Sequence, residues 1–216
     1  GDETGLSLPK AVASTAQMTV KLVAAGEMCT LLVDADDAIW MTGRLRYNGP
    51  SSKTFTRVQI PGNPSRPHSR FAAVSLGEQH ALAVTTDGGL FTWGHGGSGA
   101  LGHGTTEQID VPTEVQTFKN VHVTRATAGS QFSLVLTRNG EMWSWGSGFA
   151  LGHGGDDQSQ QLLPKVIAGL PPGAPVLRIA AGDEAAACVR ADGTAFSWGT
   201  AWDDDGTVVT TPTPLG

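Results

Sequence analysis

Gly94-His95-Gly96-Gly97-Ser98-Gly99 has the spacing of a phosphate-cradling glycine loop, G-x-G-x-x-G. Such a loop holds a pyrophosphate only where it opens a helix whose N-terminus faces the ligand. Here it runs into further glycines, Gly102 and Gly104, so it reads as a turn between strands. His103 and His153 each sit in a Leu-Gly-His-Gly segment. A zinc site needs three or four converging ligands, and no spacing around these histidines supplies them. Their expected role is to close a loop by hydrogen bonds to backbone. Asp156-Asp157 and Asp203-Asp204-Asp205 are acidic clusters, the second preceded by Trp202. The ligand alternation of a calcium loop is absent from both. Such runs are either solvated loops or docking patches for a basic protein surface. A loop tryptophan outside any pattern is a candidate interface anchor. The candidate partner-binding residues are therefore Asp156, Asp157, Trp202, Asp203, Asp204 and Asp205. No G-x-S-x-G and no convergent Ser, His and Asp set is present. The expectation is a protein that is not an enzyme, with no cofactor and no metal.

The elements that would position these residues are set by an internal repeat. Gly26, Gly77, Gly129 and Gly182 are spaced by 51, 52 and 53 residues, and each is followed 17 residues later by Gly43, Gly94, Gly146 and Gly199. Five and seven positions after the first glycine stand Leu31 and Val33, Leu82 and Val84, Leu134 and Leu136, and Ala187 and Val189. This period of two predicts a strand with one buried face. Asp87-Gly88, Asn139-Gly140 and Asp192-Gly193 follow, with Asp36-Asp37 in the first unit. Asp-Gly and Asn-Gly predict a two-residue hairpin turn in which both central residues take positive φ. After the turn come Trp40, Phe91, Trp143 and Phe196, and two residues further Thr42, Trp93, Trp145 and Trp198. These aromatics could form a ligand cage, but their fixed place on one strand face predicts packing between units. A further strand ends in LVAAG, AVSLG, RATAG and RIAAG at the first glycines, and a proline-bearing strand reads LPKAV, VPTEV and LPKVI, with FTRV at Thr56 instead.

Each unit is therefore a small antiparallel sheet that cannot bury both faces alone, so neighbours must stack. The expected fold is an all-β propeller of four blades, at approximately 8–55, 56–110, 111–162 and 163–216, in one domain over 1–216. A β-sandwich does not predict so regular a period.

Composition agrees. The chain has 216 residues, 39% of them apolar and 16% charged, which supports a buried core. Its 29 glycines are about twice the usual share, as many tight turns require. A net charge of −6 without a basic run disfavours nucleic acid and anionic membrane as partners. No apolar run approaches the length of a membrane span. Cys29 and Cys188 are too few for a disulfide framework and read as small core residues, a single bridge being the other option. The opening GDETGLSLPK lacks the features of a secretory signal, and a chain beginning with Gly reads as a processed form or a fragment. Sparse cysteine fits the cytoplasm or nucleus.

Two units carry a longer signature. Residues 93–104 read Trp-Gly-His-Gly-Gly-Ser-Gly-Ala-Leu-Gly-His-Gly, and residues 145–154 read Trp-Gly-Ser-Gly-Phe-Ala-Leu-Gly-His-Gly. With the VPTEV or LPKVI strand behind it, this pattern resembles the regulator of chromosome condensation repeat family, over roughly residues 8–216. The outer units depart: RLRYNG follows Gly43, and TAWDDDG follows Gly199. The resemblance implies a seven-bladed propeller used mainly as a binding platform. Relatives serve as domains of ubiquitin ligases, ciliary scaffolds, an ultraviolet-B photoreceptor and a β-lactamase inhibitor, and the founding member promotes nucleotide exchange on the small GTPase Ran. The expected function is a non-catalytic protein-interaction or scaffold module, with guanine-nucleotide exchange on a small GTPase as the alternative. Expected partners are proteins: a small GTPase, a large assembly, a second copy or further blades. Four units fall short of seven, so the chain is read as part of a larger propeller or as an open arc.

Overall fold

The computed structural model describes residues 15, 18–60, 70–155, 160–200 and 208–215. They form four antiparallel sheets of four strands each. Blade 1 comprises β1 (Val20–Ala25), β2 (Cys29–Asp34), β3 (Ile39–Gly43) and β4 (Ser52–Arg57). Blade 2 comprises β5 (Phe71–Leu76), β6 (His80–Thr85), β7 (Leu90–Gly94) and β8 (Ile109–Glu114). Blade 3 comprises β9 (Val123–Ala128), β10 (Phe132–Thr137), β11 (Met142–Gly146) and β12 (Gln161–Val166). Blade 4 comprises β13 (Val176–Ala181), β14 (Ala185–Arg190), β15 (Ala195–Thr200) and β16 (Val208–Pro214). In each sheet the strands pair in chain order. The first strands β1, β5, β9 and β13 lie innermost and contact one another in sequence, so the blades form an open propeller arc.

The proline-bearing strand closes the sheet of the hairpin before it: Phe91 pairs with Glu114 and Trp143 with Val166. The sheets are thus offset by one strand from the units delimited on the sequence. Pro112 and Pro164 sit on outermost strands, the place where a missing N–H costs no ladder bond.

The core lies between blades. Leu31, Val33 and Ile39 of blade 1 meet Ala81, Ala83, Phe91 and Trp93 of blade 2. Leu82, Val84 and Leu90 meet Val135, Trp143 and Trp145 of blade 3, with Phe118 between them. Leu134, Leu136 and Met142 meet Cys188, Phe196 and Trp198 of blade 4. The repeated aliphatics face forward and the repeated aromatics face back. β6 and β10, covered on both sides, are buried throughout, which corrects the expectation of one buried face. In blade 4 no other blade covers the forward face among the described residues, and Val189 is 39% exposed. On the backward face of blade 1, Val23 is 66% exposed, whereas Val74 and Ile179 at the same repeat position are packed. Cys29 and Cys188 are free thiols buried in different interfaces, and burial pushes each up to about 11.

The hairpin turns differ from the two-residue type. Gly88 N donates to Thr85 O at 2.9 Å and Thr85 N to Gly89 O at 2.9 Å. Asp37, Gly140 and Gly193 make the same pair of bonds in their blades. Only the second residue of each dipeptide takes positive φ: 61° at Asp37, 88° at Gly88, 83° at Gly140 and 86° at Gly193. This is a three-residue loop ending in a left-handed position, so a single glycine suffices. In blade 1 Asp37 accepts the conformation, and its carboxylate takes an N–H from Phe71 at 3.0 Å, tying the turn to blade 2. At Gly140 a Cβ would meet nothing within 4 Å, so Gly140→Ala isolates backbone strain. It should cost about 1 kcal/mol by urea unfolding; an unchanged midpoint would contradict this turn geometry.

Candidate protein-interaction site

The innermost strands end at one place. Each runs into its repeat glycine and then one further residue: Gly26-Glu27, Gly77-Glu78, Gly129-Ser130 and Gly182-Asp183. Gly26 and Gly77 permit close approach of neighbouring blades. A Cβ on Gly77 would lie 2.5 Å from Gly129 O, and one on Gly26 would lie 3.1 Å from Gly77 O. The corners are then linked by main chain. Glu78 N donates to Ser130 O at 3.2 Å and Ser130 N to Asp183 O at 2.9 Å. The four corners enclose an open cavity of about 610 Å³ at the centre of the arc.

Its charge is one-signed. Glu27, Glu78 and Asp183 line it, and among the described residues its lining holds no lysine, arginine or histidine. Ser130 Oγ donates to Glu78 Oε2 at 2.5 Å, and Tyr47 from the blade 1 loop donates to Glu78 Oε1 at 2.6 Å. Glu27 Oε2 lies 3.1 Å from the same hydroxyl. The bonds from Ser130 and then Tyr47 hold the Glu78 carboxyl below its usual range. The same pairing with Glu78 raises the Tyr47 phenol above its ordinary value. Glu78 is thus a carboxylate held in place by the Ser130 and Tyr47 hydroxyls, with Gln131 as a third side-chain partner. Among the described residues no group of three or more His, Cys, Asp or Glu is close enough to hold a metal ion.

Behind the mouth lies His80, 2% exposed. Its Nε2 is 3.0 Å from Ser133 Oγ, and that hydroxyl donates its one proton to Ala100 O at 2.8 Å. The imidazole must therefore donate from Nε2. Burial pushes the ring down to about 4, so it is neutral at physiological pH. Trp145 Nε1 also donates to Ala100 O, at 2.8 Å. The buried network thus fastens a blade 2 loop to blade 3. Trp198 Nε1 donates to Ala150 O at 2.8 Å in the next interface. A Cβ on Gly102 would lie 2.7 Å from Trp145 Nε1, and one on Gly152 2.8 Å from Trp198 Nε1. The Leu-Gly-x-Gly signature is the seat for the next blade's tryptophan.

The residues singled out from sequence fall as follows. His103 Nε2 lies 2.9 Å from Thr92 Oγ1 and His153 Nε2 3.1 Å from Ser144 Oγ. Those hydroxyls donate to Leu101 O and Leu151 O, so both histidines close loops through a side-chain hydroxyl, and His153 also has the Ser144 backbone as a partner. Burial lowers both rings below the ordinary histidine value. The glycine run 94–99 follows β7 and enters turns, not a helix. Phe91 and Phe196 are buried between blades, and Trp143 stacks edge-on against Phe118 at 5.5 Å. Asp156, Asp157, Trp202, Asp203, Asp204 and Asp205 lie outside the described residues. Sequence reasoning missed Glu27, Glu78, Asp183 and Tyr47. A signal was available: three of the four residues following the aligned glycines are acidic.

Two family models for the regulator of chromosome condensation (RCC1) repeat match the chain. One covers residues 87–136 and 139–189, the other 71–100 and 123–150, together more than half of it. The chain is 29% identical over 205 residues to the E3 ubiquitin-protein ligase HERC2 of Homo sapiens, across 92% of this chain and 4% of that protein. In fold it is similar to human WBSCR16, with a TM-score of 0.77 and 22% identity over 93% of this chain and 54% of that one. It is also similar to Prp20p of Saccharomyces cerevisiae, described with its binding to Gsp1p and histones, with a TM-score of 0.75 and 21% identity over 91% of this chain and 51% of that one. The chain thus spans about half the length of these solved propellers and a small part of the ligase.

Proposed function

We propose that this chain, which belongs to the regulator of chromosome condensation repeat family, is a non-catalytic protein-interaction module whose acidic central mouth receives a basic segment of a protein partner. The observation that carries this reading is the convergence of Glu27, Glu78 and Asp183 on one open cavity whose lining holds no cation among the described residues. Three carboxylates held on rigid strand ends favour lysine or arginine by charge and hydrogen bonding. The acidic runs Asp156-Asp157 and Asp203-Asp204-Asp205, with Trp202 as anchor, are proposed to add to the attraction for a basic surface. The uncovered faces at Val23 and Val189 are where further blades or another chain would pack. Sparse cysteine usage is the support for proposing the cytoplasm or nucleus.

A labelled arginine- and lysine-rich peptide tests the reading. It should bind in the micromolar range at low ionic strength and weaken about tenfold or more when salt screens the mouth. Binding that ignores salt, or no binding, contradicts it. Guanine-nucleotide exchange is the second reading, favoured by the likeness to Prp20p, described as binding Gsp1p. An exchange module would press loop residues against the GTPase's phosphate and magnesium region and stabilise its nucleotide-free state. Faster nucleotide release from a small GTPase at micromolar chain supports this; unchanged release across a panel excludes it.

A further inference from the structure

Blades 2 and 3 each send a Leu-Gly-His-Gly turn over the next blade, whereas the blade 1 loop reaches blade 2 by other contacts. The turns place Leu101 and Leu151 in the core and give Ala100 O and Ala150 O to the indoles of Trp145 and Trp198. Each turn also pairs with the next blade's outermost strand: Gly104 N donates to Leu162 O at 3.1 Å and Gly154 N to Thr210 O at 2.9 Å. The corresponding loop of blade 1, residues 44–49, buries Leu45 in the core beside Trp93 and sends Tyr47 to the mouth. There the Tyr47 hydroxyl binds Glu78, and Tyr47 N donates to Gln79 Oε1 at 3.1 Å.

Blade 2 is consequently left with unused recognition groups. Trp93 holds the place of Trp145 and Trp198, yet its indole N–H has no acceptor among the described residues. Asp110 holds the place of Leu162 and Thr210, yet among the described residues its carbonyl receives no N–H from the blade 1 loop. Beside them lies a groove of about 480 Å³, lined among others by Met41, Leu45, Val58, Trp93, Ile109 and Val111. Its lining includes the Arg46–Asp110 ion pair, 2.8 Å long.

We propose that this groove is a docking site for a turn of a partner protein with the chemistry of the turn that fills the same place twice in this chain. That turn presents a small residue whose carbonyl accepts from Trp93 Nε1, then an aliphatic residue that packs in the groove beside Leu45, then a glycine that lets the backbone lie against the ring. One of its N–H groups donates to Asp110 O. At one position the partner departs from the chain's own turns. His103 and His153 meet the hydroxyls of Thr92 and Ser144, but the equivalent residue of blade 1 is Met41, so an apolar side chain fits there. The site stands apart from the acidic mouth and does not rest on that reading.

The test follows the six indole N–H signals by nuclear magnetic resonance, with Trp93→Phe identifying the one that matters. The probe is a cyclised peptide, Ser-Gly-Ala-Leu-Gly-Met-Gly, against a control with aspartate for leucine. The Trp93 signal should shift saturably with the leucine peptide alone. Trp93→Phe should weaken binding about fivefold, the effect of one hydrogen bond. Val111→Arg should abolish binding, and Asp183→Asn, in the mouth, should leave it unchanged. Replacing residues 44–49 by the sequence of residues 95–104 fills the groove from within and should abolish peptide binding in a protein that remains folded. A Trp93 signal unmoved at millimolar peptide overturns the proposal. So does an equal shift with the aspartate control, or binding retained by Val111→Arg or by the filled-groove chimera.

Discussion

Trp145→Ala should destabilise the protein by about 4 kcal/mol in urea unfolding, the cost of emptying a large buried aromatic site. Trp145 is fully buried, packs against Phe118 at 5.8 Å between ring centres, and is covered by Gly102 from the preceding blade. Trp145→Phe separates the two contributions. It keeps most of the ring volume and loses the bond to Ala100 O, so it should cost about 1 kcal/mol from the lost hydrogen bond, plus a smaller packing loss. Trp93→Phe is the internal comparison, because its N–H lacks an acceptor among the described residues; it should lack the hydrogen-bond part of the loss. Equal losses for the two phenylalanine variants would contradict the role assigned to the Leu-Gly-x-Gly turn.

The second large effect is with pH. The unfolded chain binds a proton at His80 near the ordinary 6.5, while the folded chain resists until about 4. As pH falls through this window the unfolded state takes up more protons, so stability present above 6.5 is lost down to about 4. The loss amounts to about 3 kcal/mol for a shift of this size. His103 and His153 add in the same direction, since burial lowers both. His80→Gln should flatten the slope between pH 6.5 and 4 relative to the parent. A slope equally steep in the variant would place the titration elsewhere.

Much of the fold was legible because the repeat is written in residues with single physical reasons. Gly26 and Gly77 mark close approach of blades, and Leu31, Leu82 and Leu134 mark the forward face. What a repeat alignment does not carry is which neighbour covers a face. Ala187 and Val189 fit the pattern of buried positions but have no blade in front of them among the described residues. Asp87-Gly88 was misread because the dipeptide fits two hairpin loops, and only the register, with Thr85 N bonded to Gly89 O, separates them. The proline strands were cut into the wrong unit because their pairing partner, the strand before them, is a long-range fact. The mouth was overlooked for a different reason. Charged residues next to a turn glycine look like solvent-facing decoration until four such corners meet. Tyr47 lies in one of the two loops that break the signature, where the alignment is silent.

The central claim is that the mouth carboxylates are the partner-binding surface. The direct measurement is affinity capture from cell lysate by the parent chain and by the triple variant Glu27→Gln, Glu78→Gln, Asp183→Asn, side by side, with mass spectrometry of what each retains. Equal urea midpoints establish that the two are equally folded. The account predicts a set of proteins with basic segments that the parent retains at low salt and the variant loses by at least tenfold. An identical set at equal yield from both chains would contradict it.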